Sequence, residues 1–183
     1  PSFLVLLILA GIALRARPVL AGRSLASLLT SSVWAPSRGE FGLFAFIMGT
    51  LWVTAVALVL AVPVSLLTAV FLSEYAPARL RRFAQPAVDL LAGLPSVVYG
   101  VWGMLLIVPL VGGGLAPLFG TSSSGYSVLA GGIVLAIMIF PTIISVSLEV
   151  FGSVPRGMRE ASLARGATHW ETVKHVVRKK GLQ

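Results

Sequence analysis

The sequence predicts an all-α protein, a polytopic transmembrane helix bundle of about four spans. Three observations lead there. Of 183 residues, 57% are hydrophobic and only 11% charged, with a mean hydropathy of +0.96, whereas soluble domains carry about a quarter charged residues. The apolar residues gather in long blocks that a water-soluble core of this size does not need. Those blocks do not alternate between apolar and polar positions, as the strands of a membrane β-barrel would.

The blocks can be taken in order. Phe3 to Leu14 is apolar from the outset. Twelve residues at 1.5 Å each reach about 18 Å, short of the ~30 Å hydrocarbon layer. Arg15 and Arg17 follow it, where a signal peptide would place small residues. Residues 3–14 are therefore expected to be the remainder of a first span whose beginning is missing. Phe41 to Leu72 carries no charge over thirty-two residues. Its spanning part is expected at 50–72, with 41–49 entering along the interface and Pro63 introducing a kink. A third span is expected at 87–110 and a fourth at 127–148, separated by a Gly- and Ser-rich loop at 111–126. Spans and loops thus occupy 1–150, a polar helical loop 151–177, and a short basic terminus 178–183.

Net charge is +8, and its distribution carries the topology. Lys and Arg number four in 15–40, three in 73–86, none in 111–126 and seven in 151–183. Basic loops stay in the cytoplasm, which assigns 73–86, the C-terminal loop and the N-terminus to the inside of a multi-pass protein. The four arginines of 15–40 oppose this assignment without outweighing it. There is no cysteine, so no disulfide.

Two places have composition beyond what a span needs. In the C-terminal loop, 159–165 suits one short helix and Gly166 breaks it. Thr168 and Glu171 have capping-box spacing, and Trp170, Val173 and Val177 give the following helix an apolar edge. Such an elbow fits a groove on another protein, and equally a basic segment lying on anionic headgroups. The second place is Gly93-Leu94-Pro95-Ser96-Val97-Val98-Tyr99-Gly100, where proline and glycine predict a kink or an unwound turn inside an apolar span. Broken helices line transport pathways, and Gly93, Pro95, Ser96, Tyr99 and Gly100 are the candidate pathway or helix-break residues. The spacing of Gly93, Ser96 and Gly100 also suits close helix packing, as do Gly131 and Gly132. Asp89 and Glu149 lie near span ends, within reach of interfacial water.

Enzymatic chemistry finds no support. The sequence has no Gly-x-x-x-x-Gly-Lys-Ser/Thr loop to bind ATP, no Gly-x-Ser-x-Gly elbow and no His-Glu-x-x-His helix. His169 and His175 are six apart on different helical faces without a cysteine, so neither a catalytic residue nor a metal site is expected. No nucleic acid is expected as a partner, because membrane topology accounts for the basic residues.

On these residues the chain resembles the C-type permease subunits of bacterial phosphate ABC importers. Leu72-Ser73-Glu74-Tyr75-Ala76-Pro77 with the arginines after it is similar to the family's cytoplasmic loop. The run from Asp89 to Gly103 resembles its most recognisable span. Glu160-Ala161-Ser162, with Gly166 beyond, resembles the EAA loop shared across ABC importers. The likeness runs from about Trp34 to Val177 and implies an ABC-importer permease-like bundle in which the spans here are part of a larger set. It further implies a second permease subunit, a cytoplasmic ABC ATPase dimer that binds the ATP, a periplasmic phosphate-binding protein, and residence in the lipid bilayer of the bacterial inner membrane. Glu160, Ala161, Ser162 and Gly166 would form the ATPase-coupling loop, with no cofactor held by this chain. Beyond Val177 the family continues Leu-Pro into further spans, whereas this chain reads Arg178-Lys179-Lys180-Gly181-Leu182-Gln183. The expectation is an incomplete copy that does not transport by itself. The alternatives are a permease for sulfate or molybdate, the partner phosphate permease, or a membrane assembly protein without transport.

Overall fold

The computed structural model describes residues 2–21, 24–153, 157–158, 161, 164–166 and 171. The chain divides into two compact units, 1–52 and 53–183.

The first unit opens with helix α1, Ser2–Ala21, which continues through Arg15 and Arg17. Charge limits an apolar run but not a helix, since arginine is itself a good helix former; the helix is accordingly longer than the apolar block 3–14. Helix α2, Leu25–Thr30, is capped by Ser24, whose Oγ accepts from the Ser27 amide at 3.2 Å. A small hairpin follows, with β1 (Trp34–Ala35) antiparallel to β2 (Glu40–Phe41) and Trp34 opposite Phe41. A 3₁₀ turn, Pro36–Arg38, joins the strands and ends at Gly39, whose φ of 70° lies in the left-handed region. The amides of Gly42 and Leu43 donate to the carbonyls of Val33 and Leu28, both at 2.8 Å, tying the hairpin to α2. A side chain at Gly42 would collide with the Ser31 backbone. Trp34 meets Phe41 and Phe46 edge-on at centroid distances of 5.8 and 5.0 Å. Aromatic residues of this kind concentrate where membrane meets water.

Helix α3, Phe44–Val70, runs through Pro63 and widens into a π-helical turn, Phe71–Tyr75. It starts at Phe44, so six of the residues expected to approach along the interface, 44–49, are already helical. In the second unit, α4 (Ala78–Ala92) is followed by a break at 93–95 and then α5 (Ser96–Trp102). Beyond α5 the helix continues through π-helical turns at Gly103–Ile107 and Leu110–Leu115 and a short α6, Ala116–Leu118. The last long helix among the described residues is α7, Val128–Gly152.

Among the described residues, three helical stretches are long and apolar enough to cross a membrane: Phe44–Tyr75, Ser96–Leu118 and Val128–Gly152. The protein is an all-α polytopic membrane protein. The third apolar segment differs from its expected limits. Its membrane-length helix occupies 96–118 rather than 87–110, because Pro95 cannot donate to the helix before it and starts a new one. The Gly-rich stretch expected to be a loop from 111 is helical as far as Leu118; between apolar neighbours, intrahelical bonds are the means left to satisfy its backbone.

The core of the second unit is narrow, with alanines meeting in one cluster and larger aliphatic side chains joining them in the other. Ala57 and Ala61 of α3 pack with Ala136 of α7, and Ala69 and Leu72 with Ile144 and Leu148. The fully buried Ser65 donates to the Phe140 carbonyl at 3.4 Å. With no hydrophobic drive between helices in lipid, such small residues gain van der Waals contact by letting backbones approach. Gly132 faces Val56 so closely that a side chain there would force Val56 aside.

Candidate functional site

The sequence singled out the 93–100 motif, and its backbone explains why. Helix α4 ends with the Gly93 amide reaching back to the Asp89 and Leu90 carbonyls at 3.1 and 3.2 Å. Pro95 then takes an extended conformation at φ −59°, ψ 136°, and Ser96 begins α5. The break leaves terminal carbonyls of α4 without helical partners. The Leu91 carbonyl accepts from the Leu94 amide at 3.1 Å and from the Tyr99 hydroxyl at 2.8 Å. Tyr99 thus bridges the two helices across the break.

Sequence spacing allowed Gly93, Ser96 and Gly100 to be packing contacts. A side chain at Gly100 would meet nothing within 4 Å, and one at Gly93 would meet only α4 carbonyls at 3.5 and 3.6 Å. The glycine that does pack is Gly103, one turn further on, where a side chain would run into Val134 of α7. Freed of packing, the motif faces an open groove of about 390 Å³. Ser96, Tyr99 and Gly100 line one side, and Tyr126, Ser127 and Gly131 line another. The groove carries hydroxyls but no charged side chain. It can therefore offer hydrogen bonds to a polar solute without binding an anion tightly.

The far side of the groove is fixed by a loop fold that sequence reasoning passed over. Gly125 has φ 85°, and a side chain there would strike the Val108 carbonyl. Ser127 caps α7 by accepting from the Ala130 amide at 3.2 Å. A second tie missed in the sequence links α4 to α7: the Ser145 hydroxyl donates to Asp89 Oδ1 at 2.7 Å. Its only sequence signal was a carboxylate near the end of an apolar segment. Glu149 lies in the last turn of α7.

Of the coupling-loop residues, Glu160 and Ser162 lie outside the described residues, as does the second helix expected from Thr168 apart from Glu171. Ala161 is helical, and Gly166 has a φ of 85°, which suits a glycine breaking a helix.

Comparison with known proteins adds the family. Residues 61–182 match the model of the binding-protein-dependent transport system inner membrane component. The chain is similar to the probable ABC transporter permease protein YqgH of Bacillus subtilis, 40% identical over 158 residues, covering 85% of this chain and 50% of that protein. It is similar to the phosphate transport system permease protein PstC of Mesorhizobium japonicum, 38% identical over 165 residues, with 82% and 50% covered. PstC of Mycobacterium leprae is 43% identical over 150 residues, with 75% and 47% covered. The chain spans about half the length of these relatives. No solved structure matches it. The helical architecture and the match over 61–182 agree, and the chain belongs to the binding-protein-dependent transport system inner membrane component family.

Proposed function

We propose that this chain is the membrane-spanning part of a permease subunit in an ATP-driven phosphate importer of the bacterial inner membrane. The observation that carries the reading is the likeness to proteins named phosphate transport system permeases over three quarters or more of the chain. The uncharged, hydroxyl-bearing groove beside the 93–100 break supports a role in passage, because a conducting site must hold its solute weakly enough to release it.

In this reading a second permease subunit completes the path, a periplasmic binding protein delivers phosphate, and a cytoplasmic ATPase dimer holds the ATP. The N-terminus and the 151–177 loop face the cytoplasm. Closure of the ATPases pushes on Glu160, Ala161, Ser162 and Gly166, which follow α7 closely in sequence. Motion of α7 reaches α4 through Asp89–Ser145 and the Ile144–Leu148 core. The flexible point is the break at 93–95, where α5 can swing about the Tyr99 bond. No covalent step falls to this chain.

Membranes holding the protein with a second permease subunit, the ATPase and the binding protein should take up phosphate on addition of ATP, in preference to sulfate and molybdate, whereas this chain with the ATPase and binding protein alone should take up none. Uptake of either competitor with phosphate ignored would overturn the solute. Glu160→Arg and Gly166→Pro should each weaken capture of the ATPase; unchanged capture in both would overturn the docking role.

A further inference from the structure

Helix α4 has a surface that neither the groove nor the coupling loop uses. Arg79, Arg82 and Pro86 recur along one exposed edge, and Arg81, Arg82 and Gln85 with Ala78, Pro86 and Asp89 line an open groove of about 470 Å³. On the adjacent edge Phe83 and Leu90 are 78% and 75% exposed. The opposite side, with Ala84 and Val88, is occupied by the core at Leu72, Ile144 and Leu148. Basic and apolar strips therefore lie side by side along one helix, both open.

Contacts with α7 give this helix a depth. Counted back from Gly152, α4 meets Leu148 and Ile144 through Ala84 and Val88, then Ser145 through Asp89, and α5 leads on to Gly103 at Val134. At 1.5 Å per residue, Asp89 lies about 10 Å and Gly103 about 27 Å inward from the end of α7. Basic residues favour the membrane–water boundary, which assigns the arginine-bearing first turns to that level and leaves Phe83 and Leu90 progressively deeper. A basic cluster at the boundary with an apolar strip descending from it has the charge and dimensions of an anionic phospholipid.

We propose that α4 carries a binding site for one anionic phospholipid. Arg79, Arg82 and Gln85 hold the headgroup phosphate, and an acyl chain lies along Phe83 and Leu90. Guanidinium groups pair with phosphate oxygens in a bidentate fork, and Gln85 donates from its amide. The lipid covers apolar surface that would otherwise be filled less specifically, and it fixes the outer side of the helix that precedes the break. Charge complementarity distinguishes this occupant from a protein with an apolar face alone.

The test uses the full chain purified in detergent with phosphatidylcholine and a minor fraction of phosphatidylglycerol, with retained lipid measured by native mass spectrometry. Arg79→Gln with Arg82→Gln should lower retained phosphatidylglycerol about tenfold. Arg79→Lys with Arg82→Lys should keep most of it, and the charge-matched pair Arg15→Gln with Arg38→Gln should keep all of it. Gln85→Glu, a near-isosteric change that leaves the fold intact, should lower retention about fivefold by placing a negative charge beside the phosphate. Retention unchanged in Arg79→Gln/Arg82→Gln or in Gln85→Glu would overturn the proposal. So would equal losses in the two Gln pairs, which would mean a diffuse charge effect. Displacement of the lipid by inorganic phosphate at millimolar concentration would show a site for the free anion, and would overturn it too.

Discussion

Two membrane-length helices of this protein start from similar materials and end differently. Val128–Gly152 contains one proline, Pro141, and Ser96–Leu118 contains Pro109 with Pro117 near its end, and both hold several glycines. The first is a regular α-helix through Pro141. The second contains π-helical turns at Gly103–Ile107 and Leu110–Leu115, on either side of Pro109. A missing donor at proline disturbs both alike, so the proline does not account for the contrast. Enclosure does. The apolar stretch of α7 is 28% buried against 17% for the other helix, and α7 is held by α3, α4 and Gly103 of the neighbouring span. A helix gripped on several sides has one phase that satisfies every contact. A helix touching its neighbour along one side can take up an extra residue per turn, and such π-bulges are frequent at functional sites.

The contrast can be broken most strongly at Gly132. Gly132→Leu should destabilise the α3–α7 packing by about 2–3 kcal/mol, since its side chain runs into Val56. Unfolding in mixed detergent micelles measures it, and a cost below ~0.5 kcal/mol would show that α7 is not gripped there. Gly125→Ala should follow at about 2 kcal/mol, combining a φ of 85° with a clash against the Val108 carbonyl. It should also loosen the loop after 118, read as faster amide exchange over 119–127; exchange unchanged there would detach the loop from the π-helical segment. Tyr99→Phe removes one hydroxyl–carbonyl bond across the break and should cost about 1 kcal/mol. Its more telling effect is local, with faster exchange at Gly93 and Leu94 while α7 amides stay protected. The smallest effect belongs to Gly131→Ala, where the new methyl meets Val53 at an ordinary 3.6 Å. A change within about 0.5 kcal/mol is expected, and a larger one would mean that neighbouring glycines on α7 are not distinguished by what they face.

Much of the architecture was legible because a bilayer imposes a simple rule. An uncharged run of thirty-two residues is long enough to cross as a helix, and Phe41–Leu72 contains such a helix from Phe44 onward. The break at Gly93–Pro95 was equally legible, because proline and glycine act on the backbone locally. Helix ends were less so. Hydropathy marks where charge begins, but α1 runs past Arg15 and the third membrane helix runs past its glycines to Leu118. In the candidate site, Tyr99 was named from its place in a motif, while its bond to Leu91 and the Asp89–Ser145 tie were not readable. The second joins residues 56 positions apart, and no periodicity reports such a pair.

By itself, then, the sequence determined that this protein is all-α and membrane-embedded, that its third apolar segment is interrupted at Pro95, and that its basic residues cluster at segment ends. These follow from solvent and local backbone chemistry, which each residue carries with it. Only the tertiary structure decided which glycines are contacts and which are open. Gly103 and Gly132 face β-branched side chains on a neighbouring helix, whereas Gly100 faces empty space, although all three look alike in the chain. The physical reason is that a glycine's role depends on what stands opposite it, and the rotation and register between helices are set by all their contacts together.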